Sequence, residues 1–225
     1  MKDHTILVVV YVNNEELFKQ CERQIRNLCV PPGYAVRIFP VRDEKSMANA
    51  YNQALSYPAK YKVYIHQDTY LINREMLYTL ISLFKDNEQL GLIGVAGAQF
   101  LPSNGIWWEG KNLVGKVIEY KGQNYQLLSL DQGFYGNQSF MSVQVIAGLL
   151  MATQYDISWR EDLFQGFDFY DVSQSLEFQK AGYLIGIPNQ ANLCSHYNGD
   201  EFDADTYEKY RKVFVEHYKD ILSPS

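Results

Sequence analysis

The sequence predicts an α/β protein with a mostly parallel central sheet flanked by helices. Two observations carry that prediction. Residues 6–12 (Ile-Leu-Val-Val-Val-Tyr-Val) form an unbroken, β-branched-rich apolar run, as expected of a strand covered on both faces. Over the first hundred residues, further strand-like runs alternate with amphipathic helical segments, the pattern of a parallel sheet with right-handed crossovers.

After the first strand, Asn13 and Glu16 make a plausible capping pair for a helix with Leu17, Cys21, Ile25 and Leu28 on one face. Pro31-Pro32-Gly33 ends it, and residues 34–41 read as the second strand. Residues 46–56 suit a helix that turns Met47, Ala50, Ala54 and Leu55 inward, and 61–65 are the third strand. A helix over 73–86 buries Leu77, Leu80, Ile81 and Phe84, and 90–96 are the fourth strand. Residues 97–142 are rich in Gly, Asn, Trp and Tyr, with short strand-like pieces such as 116–120. They predict an insertion of loops and hairpins, not a second domain. Strand character returns at 143–152, a helix over 171–181 stops at Gly182, and an amphipathic helix over 203–222 closes the chain. One domain is expected over residues 1–225.

Composition bounds the function. The 225 residues are 47% apolar and 20% charged, an ordinary globular balance. A net charge of -6 argues against a nucleic-acid partner. No apolar run reaches the roughly 20 residues that span a bilayer. Cys21, Cys29 and Cys194 are widely spaced with no CxxC, which argues against a disulfide framework and makes the cytoplasm the default location. The 18 Tyr, 12 Phe and 3 Trp either pack the core or present flat apolar faces suited to sugars.

Three constellations could carry chemistry. The third strand runs into His66-Gln67-Asp68, and a carboxylate at a strand's C-terminal tip lies where open α/β sheets bind ligands. Asp68 is either a metal ligand facing a diphosphate or an ordinary turn residue. Asp168 and Asp171 precede the 171–181 helix; Asp171 is either its N-cap or a general base. His196, in Ser-His-Tyr-Asn-Gly-Asp, is either a satisfied polar residue or a metal ligand. Trp107 and Trp108, in a Gly-flanked loop, either stack on an acceptor or anchor a lid.

Five segments stand in a telling order: 8–14 (VVVYVNN), 46–54 (SMANAYNQA), 63–68 (VYIHQD), 148–153 (GLLMAT), and 167–171 (FDFYD) running into 180–183 (KAGY). Together they resemble the family-2 glycosyltransferases of GT-A fold, and more closely the bacterial glycosyltransferase-like domain of streptomycin-biosynthesis clusters. The resemblance spans roughly residues 5–200. It implies a nucleotide-binding half over about 1–100, an acceptor and catalytic half over about 101–202, and the C-terminal helix 203–222. It implies a nucleotide-sugar site at Val12, Asn13, Asn52, His66, Gln67 and Asp68, with His66 standing where the family's first motif Asp would be. Asp68 and His196 would hold Mn²⁺ or Mg²⁺. Asp171, with Asp168 as runner-up, would be the base; Trp107, Trp108 and Gly148 would bind the acceptor. The implied activity is inverting, metal-dependent transfer of a sugar from a nucleotide-diphosphate donor, a UDP-sugar by family habit, to a glycan or other hydroxyl acceptor, with a homodimer as a possible assembly. The alternatives are a degenerate domain that binds nucleotide or glycan without turnover, and a plain interaction module.

Overall fold

The computed structural model describes residues 4–42, 44–121, 124–130, 138–190, 195–198 and 203–222. The first half follows the expected alternation. Strand β1 (Thr5–Val12) leads to α1 (Glu15–Arg26), β2 (Ala35–Arg42), α2 (Met47–Gln53), β3 (Tyr61–His66), the short β4 (Thr69–Leu71), α3 (Met76–Asp86) and β5 (Leu90–Ile93). Next come β6 (Ala96–Phe100), β7 (Lys111–Lys121), β8 (Asn124–Ser129), β9 (Phe140–Ser142), β10 (Val145–Ile146) and β11 (Leu150–Thr153). The described chain closes with α4 (Tyr170–Lys180), β12 (Leu184–Pro188), β13 (Ser195–Asn198) and α5 (Ala204–Tyr218).

The main sheet has seven strands in the order β2-β1-β3-β11-β5-β12-β9. Neighbours β1, β2 and β3 pair in parallel, as do β5 and β12; β11 runs antiparallel between β3 and β5. Alternate residues of β1 serve opposite faces. Ile6, Val8, Val10 and Val12 pack toward α1 and α3 with Phe18, Ile25 and Leu80. Leu7, Val9 and Tyr11 pack toward α2 with Tyr51, Trp159 and Phe178. The strand reads as continuously apolar because both faces are covered. A third cluster joins α4 to α5 through Leu176, Phe214 and Tyr218.

Among the described residues, the region over 97–142 carries the expected hairpins, β6–β7 and β7–β8. It supplies most of a second sheet, ordered β10-β6-β7-β13-β4, with β8 paired to β7. The single strand expected over 90–96 is two strands, because the chain leaves one sheet for the other at Gly94. A Cβ on Gly94 would come within 2.6 Å of the Ile146 side chain, so only glycine lets the backbone cross there. The apolar run 143–152 likewise divides, with β10 in the second sheet, β11 in the main one and Ala147-Gly148-Leu149 between them.

Two capping assignments change. Helix α1 is capped by Asn14, not Asn13: its side chain accepts from the backbone N–H of Glu16 and Leu17. Asp171 is not the cap of α4. The helix starts one residue earlier because Phe169 adopts φ 60°, a left-handed turn rarely taken by a bulky residue. Phe169 is 3% exposed, its ring 4.8 Å from Tyr207 and 5.1 Å from Phe214, and this packing holds the turn. Among the described residues, no helix is long and apolar enough to cross a membrane.

Candidate active site

A cavity of about 1040 Å³ opens between the two sheets and the N-terminal ends of α4 and α5. It gathers the tip of β1 (Asn13), the β3–β4 turn (His66, Asp68), the inter-sheet crossing at Gly148, the entry to α4 (Asp168, Asp171) and the Trp107–Trp108 turn. Residues far apart in sequence meet because β1 and β3 are parallel neighbours, so both C-terminal tips reach one edge.

Asp68 is 1% exposed, yet it lines the cavity. His66 Nδ1 lies 2.6 Å from Asp68 Oδ1. That contact lacks the direction of an N–H···O bond, and among the described residues neither Asp68 oxygen has a hydrogen-bond partner. A buried carboxylate in that condition is costly unless a cation or solvent completes it. His66 in turn stacks on Tyr11, ring centroids 5.6 Å apart.

Asp171 is engaged differently. Its Oδ2 accepts from the Gly148 N–H at 2.7 Å and its Oδ1 from the Val172 N–H at 2.8 Å. Enclosure outweighs these bonds: burial, aided by the nearby Asp168 charge, pushes its carboxyl up to about 6. Asp168 is half-buried and also raised, by burial and by Asp203. Tyr170 Oη donates to Gly148 O at 3.1 Å, so the first turn of α4 grips Gly148 from both sides. A Cβ there would stand 2.1 Å from Tyr170 Oη.

Other expected site residues do structural work. Gln67 Oε1 accepts from the backbone N–H of both Asn13 and Asn14, each at 2.8 Å, and its Nε2 bonds Asn13 Oδ1. Asn52 accepts from the Trp159 N–H at 2.8 Å and donates to its carbonyl at 3.1 Å, pinning that loop to α2. Val12 is buried in the core. These three do not line the cavity. The side chain of His196 lies outside the described residues; its backbone pairs with Tyr70 in β4 and Ile118 in β7. Among the described residues, no group of three or more His, Cys, Asp or Glu is placed to hold a metal.

The cavity also includes residues that motif reasoning passed over. Glu119 projects from β7, two positions after Val117, and both line the cavity, the period-two spacing of one strand face. Tyr207, read as part of an amphipathic face, instead contributes to the wall. Phe167, 49% exposed, lies edge-on to Tyr11 at 5.4 Å.

Solved structures share this architecture. Staphylococcus aureus TarS, as a 1-349 fragment with UDP-GlcNAc, matches at 10% identity and TM-score 0.55, covering 96% of this chain and 66% of that one. GalNAc-T7 with UDP, GalNAc and Mn²⁺ matches at 10% identity and TM-score 0.62, covering 96% and 49%. The catalytic domain of Drosophila beta1,4galactosyltransferase 7, complexed with xylobiose, matches at 12% identity and TM-score 0.53, covering 95% and 79%. This chain thus spans just under two thirds of the TarS fragment and about half of GalNAc-T7. At such identities the likeness establishes the GT-A fold alone. No curated protein sequence matches the chain. A family model described as "Glycosyltransferase like family" matches residues 7–218, nearly the whole chain, and the protein therefore belongs to that glycosyltransferase family.

Proposed function

We propose that the protein transfers a sugar, with inversion, from a nucleoside-diphosphate donor to a hydroxyl acceptor, assisted by a divalent cation. The observation that carries this reading is the sharing of one cavity by two unlike carboxylates. Asp68 is buried with no hydrogen-bond partner among the described residues; Asp171 is hydrogen-bonded, with its carboxyl raised to about 6. Two acids whose environments set them apart are suited to different roles.

The donor is placed at the β1 and β3 tips, with Asn13 and His66 beside its nucleotide and Asp68 facing its diphosphate. A UDP-sugar is our choice, because two of the structural neighbours carry UDP or a UDP-sugar. Asp68 fits a Mg²⁺ or Mn²⁺ ligand, since its oxygens lack hydrogen-bond partners and these ions commonly take one or two carboxylates plus phosphate oxygens and water. We assign His196 as a further ligand. The ion, when bound, would neutralise charge on the leaving diphosphate as a Lewis acid.

Asp171 takes the proton of the acceptor hydroxyl as that oxygen attacks the anomeric carbon opposite the leaving group, inverting the centre. Its raised carboxyl suits a base working near neutrality, and the Gly148 and Val172 N–H groups fix its direction. Asp168 is the second candidate for this role. Trp107, Trp108 and Gly148 bound the acceptor side. We place the reaction in the cytoplasm, in keeping with the free thiols Cys21 and Cys29.

One observation favours a second reading, a donor-binding domain without turnover: His66 Nδ1 stands 2.6 Å from the carboxylate oxygen a cation would approach. Thermal shifts and turnover separate the two. UDP with Mn²⁺ should raise Tm in wild type and not in Asp68→Ala; no shift with any nucleoside diphosphate would sink both. Release of UDP from UDP-glucose, UDP-galactose or UDP-GlcNAc, lost in Asp171→Asn, supports the enzyme. Binding without release supports the second reading.

A further inference from the structure

We infer that the acceptor is a saccharide without anionic groups, seated on an aromatic wall made by Trp108 and Tyr207. This deepens the transferase reading and rests on it for the identity of the neighbouring donor site.

The wall is built and held. Trp108 is 44% exposed at the cavity rim, its ring 5.3 Å from Tyr207 at an interplanar angle of 37° and 5.9 Å from Trp107 at 86°. Tyr207 continues to Phe169 at 4.8 Å, which leads directly to the α4 entry and Asp171. The tryptophan turn is tied to α5 rather than left free. Arg211 donates to Asn104 O at 3.1 Å, and Asn104 Nδ2 donates to Glu109 at 2.7 Å. Behind the turn, Gly105 packs so closely on Phe214 that an added Cβ would stand 2.7 Å from its ring. An exposed aromatic face fixed this way offers contact area at little ordering cost. A pyranose suits it, having an apolar C–H face with hydroxyls around its edge.

Charge narrows the ligand further. Five carboxylates line the cavity, those of Asp68, Glu119, Asp168, Asp171 and Asp203, and no described Lys or Arg does. Asp168 and Asp203 lie on the aromatic side, where they can accept hydrogen bonds from sugar hydroxyls. The donor diphosphate has its own cation; a uronate or phosphate on the acceptor would lie beside the carboxylates of Asp168 and Asp203, which disfavour it. The same cavity holds the buried Asp68, whose oxygens have no hydrogen-bond partner among the described residues, as a site that takes bound groups would.

The test uses saturation-transfer NMR and titration on the protein with UDP and Mn²⁺. The probes are p-nitrophenyl glucosides, galactosides and glucosaminides, beside the matching glucuronides and 6-phosphates. Uncharged or amino glycosides should bind at least tenfold tighter than their anionic counterparts. Trp108→Ala should weaken them at least tenfold while the shift caused by UDP and Mn²⁺ persists. Anionic probes binding equally well, unchanged affinity in Trp108→Ala, or no glycoside binding to a protein that does bind UDP would each overturn the inference. Glycosides held at Trp108 by a protein that ignores every nucleotide would instead uphold the sugar wall and remove the donor reading.

Discussion

The backbone N–H of Gly148 points at Asp171 Oδ2 from 2.7 Å, joining the crossing between the two sheets to the first turn of α4. The Val172 N–H holds the other oxygen at 2.8 Å, so the carboxylate is oriented by backbone on both sides. The same enclosure that orients Asp171 raises its carboxyl to about 6. Geometry and basicity therefore have one origin.

If Asp171 is the base, it works only when ionised. Donor turnover with acceptor should rise with pH through about 6 and level off above it. Asp171→Asn should lower kcat by roughly 10²–10⁴ and remove that limb, while binding of UDP with Mn²⁺ remains. A limb that survives in Asp171→Asn would move the role to Asp168.

The raised carboxyl also predicts a stability effect. From the ordinary 3.8 to about 6 is a shift of roughly two pKa units, or about 3 kcal/mol. The folded state holds its proton longer than the unfolded state, so this stability is complete below about 4 and is lost as pH rises through 6. Relative to Asp171→Asn, the wild type should lose Tm between those values and run parallel outside them. A constant difference from pH 3.5 to 7.5 would show that Asp171 titrates normally.

Gly148→Ala tests the grip itself. The new Cβ would meet Tyr170 Oη at 2.1 Å and Asp171 Cβ at 3.1 Å, so the crossing must move away from α4. Turnover should fall at least tenfold, with the nucleotide-induced shift retained because Asp68 stands on a different element. Tyr170→Phe in the Gly148→Ala background removes the closest clash and should restore part of the loss.

Much of the main sheet was legible because its signals are local. The β-branched run of β1 and the amphipathic patterns of α1, α3 and α5 follow from the requirement to cover an apolar face. The antiparallel insertion of β11 was not legible, since an apolar run announces burial and not direction. Nor was the second sheet, in which β7 pairs with β13 some eighty residues later. At the site, Asp68 and Asp171 stood out because a buried carboxylate needs a reason. Asn52 and Gln67 are harder to read for the opposite reason: an amide meets backbone and ligand with the same atoms, and here both bind backbone.

Asp68→Asn separates ligand binding from folding. The wild-type carboxylate is buried with no hydrogen-bond partner among the described residues and only His66 Nδ1 close to it, so Asn, of the same size, should leave the ligand-free Tm within about 1 kcal/mol of wild type. At a concentration one hundred times Kd, UDP with Mn²⁺ stabilises a wild-type site by about 2.7 kcal/mol. That gain should vanish in Asp68→Asn, and chelation with EDTA should abolish it in wild type. A full shift in the variant would place the cation elsewhere.

Gln67 supplies the converse case, a residue beside the site whose first task is structural. Its Oε1 receives the N–H groups of Asn13 and Asn14, locking the end of β1 to the β3–β4 turn. Gln67→Leu keeps the bulk and removes these two bonds together with the one from Nε2 to Asn13 Oδ1. Asn13 and Asn14 are exposed, so water can replace part of the loss, and a cost of about 2 kcal/mol is expected. For a chain of this size that is a fall of roughly 4–8 °C in Tm. Asn14 still caps α1, so the helix survives; what loosens is the position of Asn13 at the cavity edge. Nucleotide affinity should therefore fall in Gln67→Leu although Gln67 does not line the cavity. Unchanged Tm and affinity would show that the two strand tips are held together by something other than this amide.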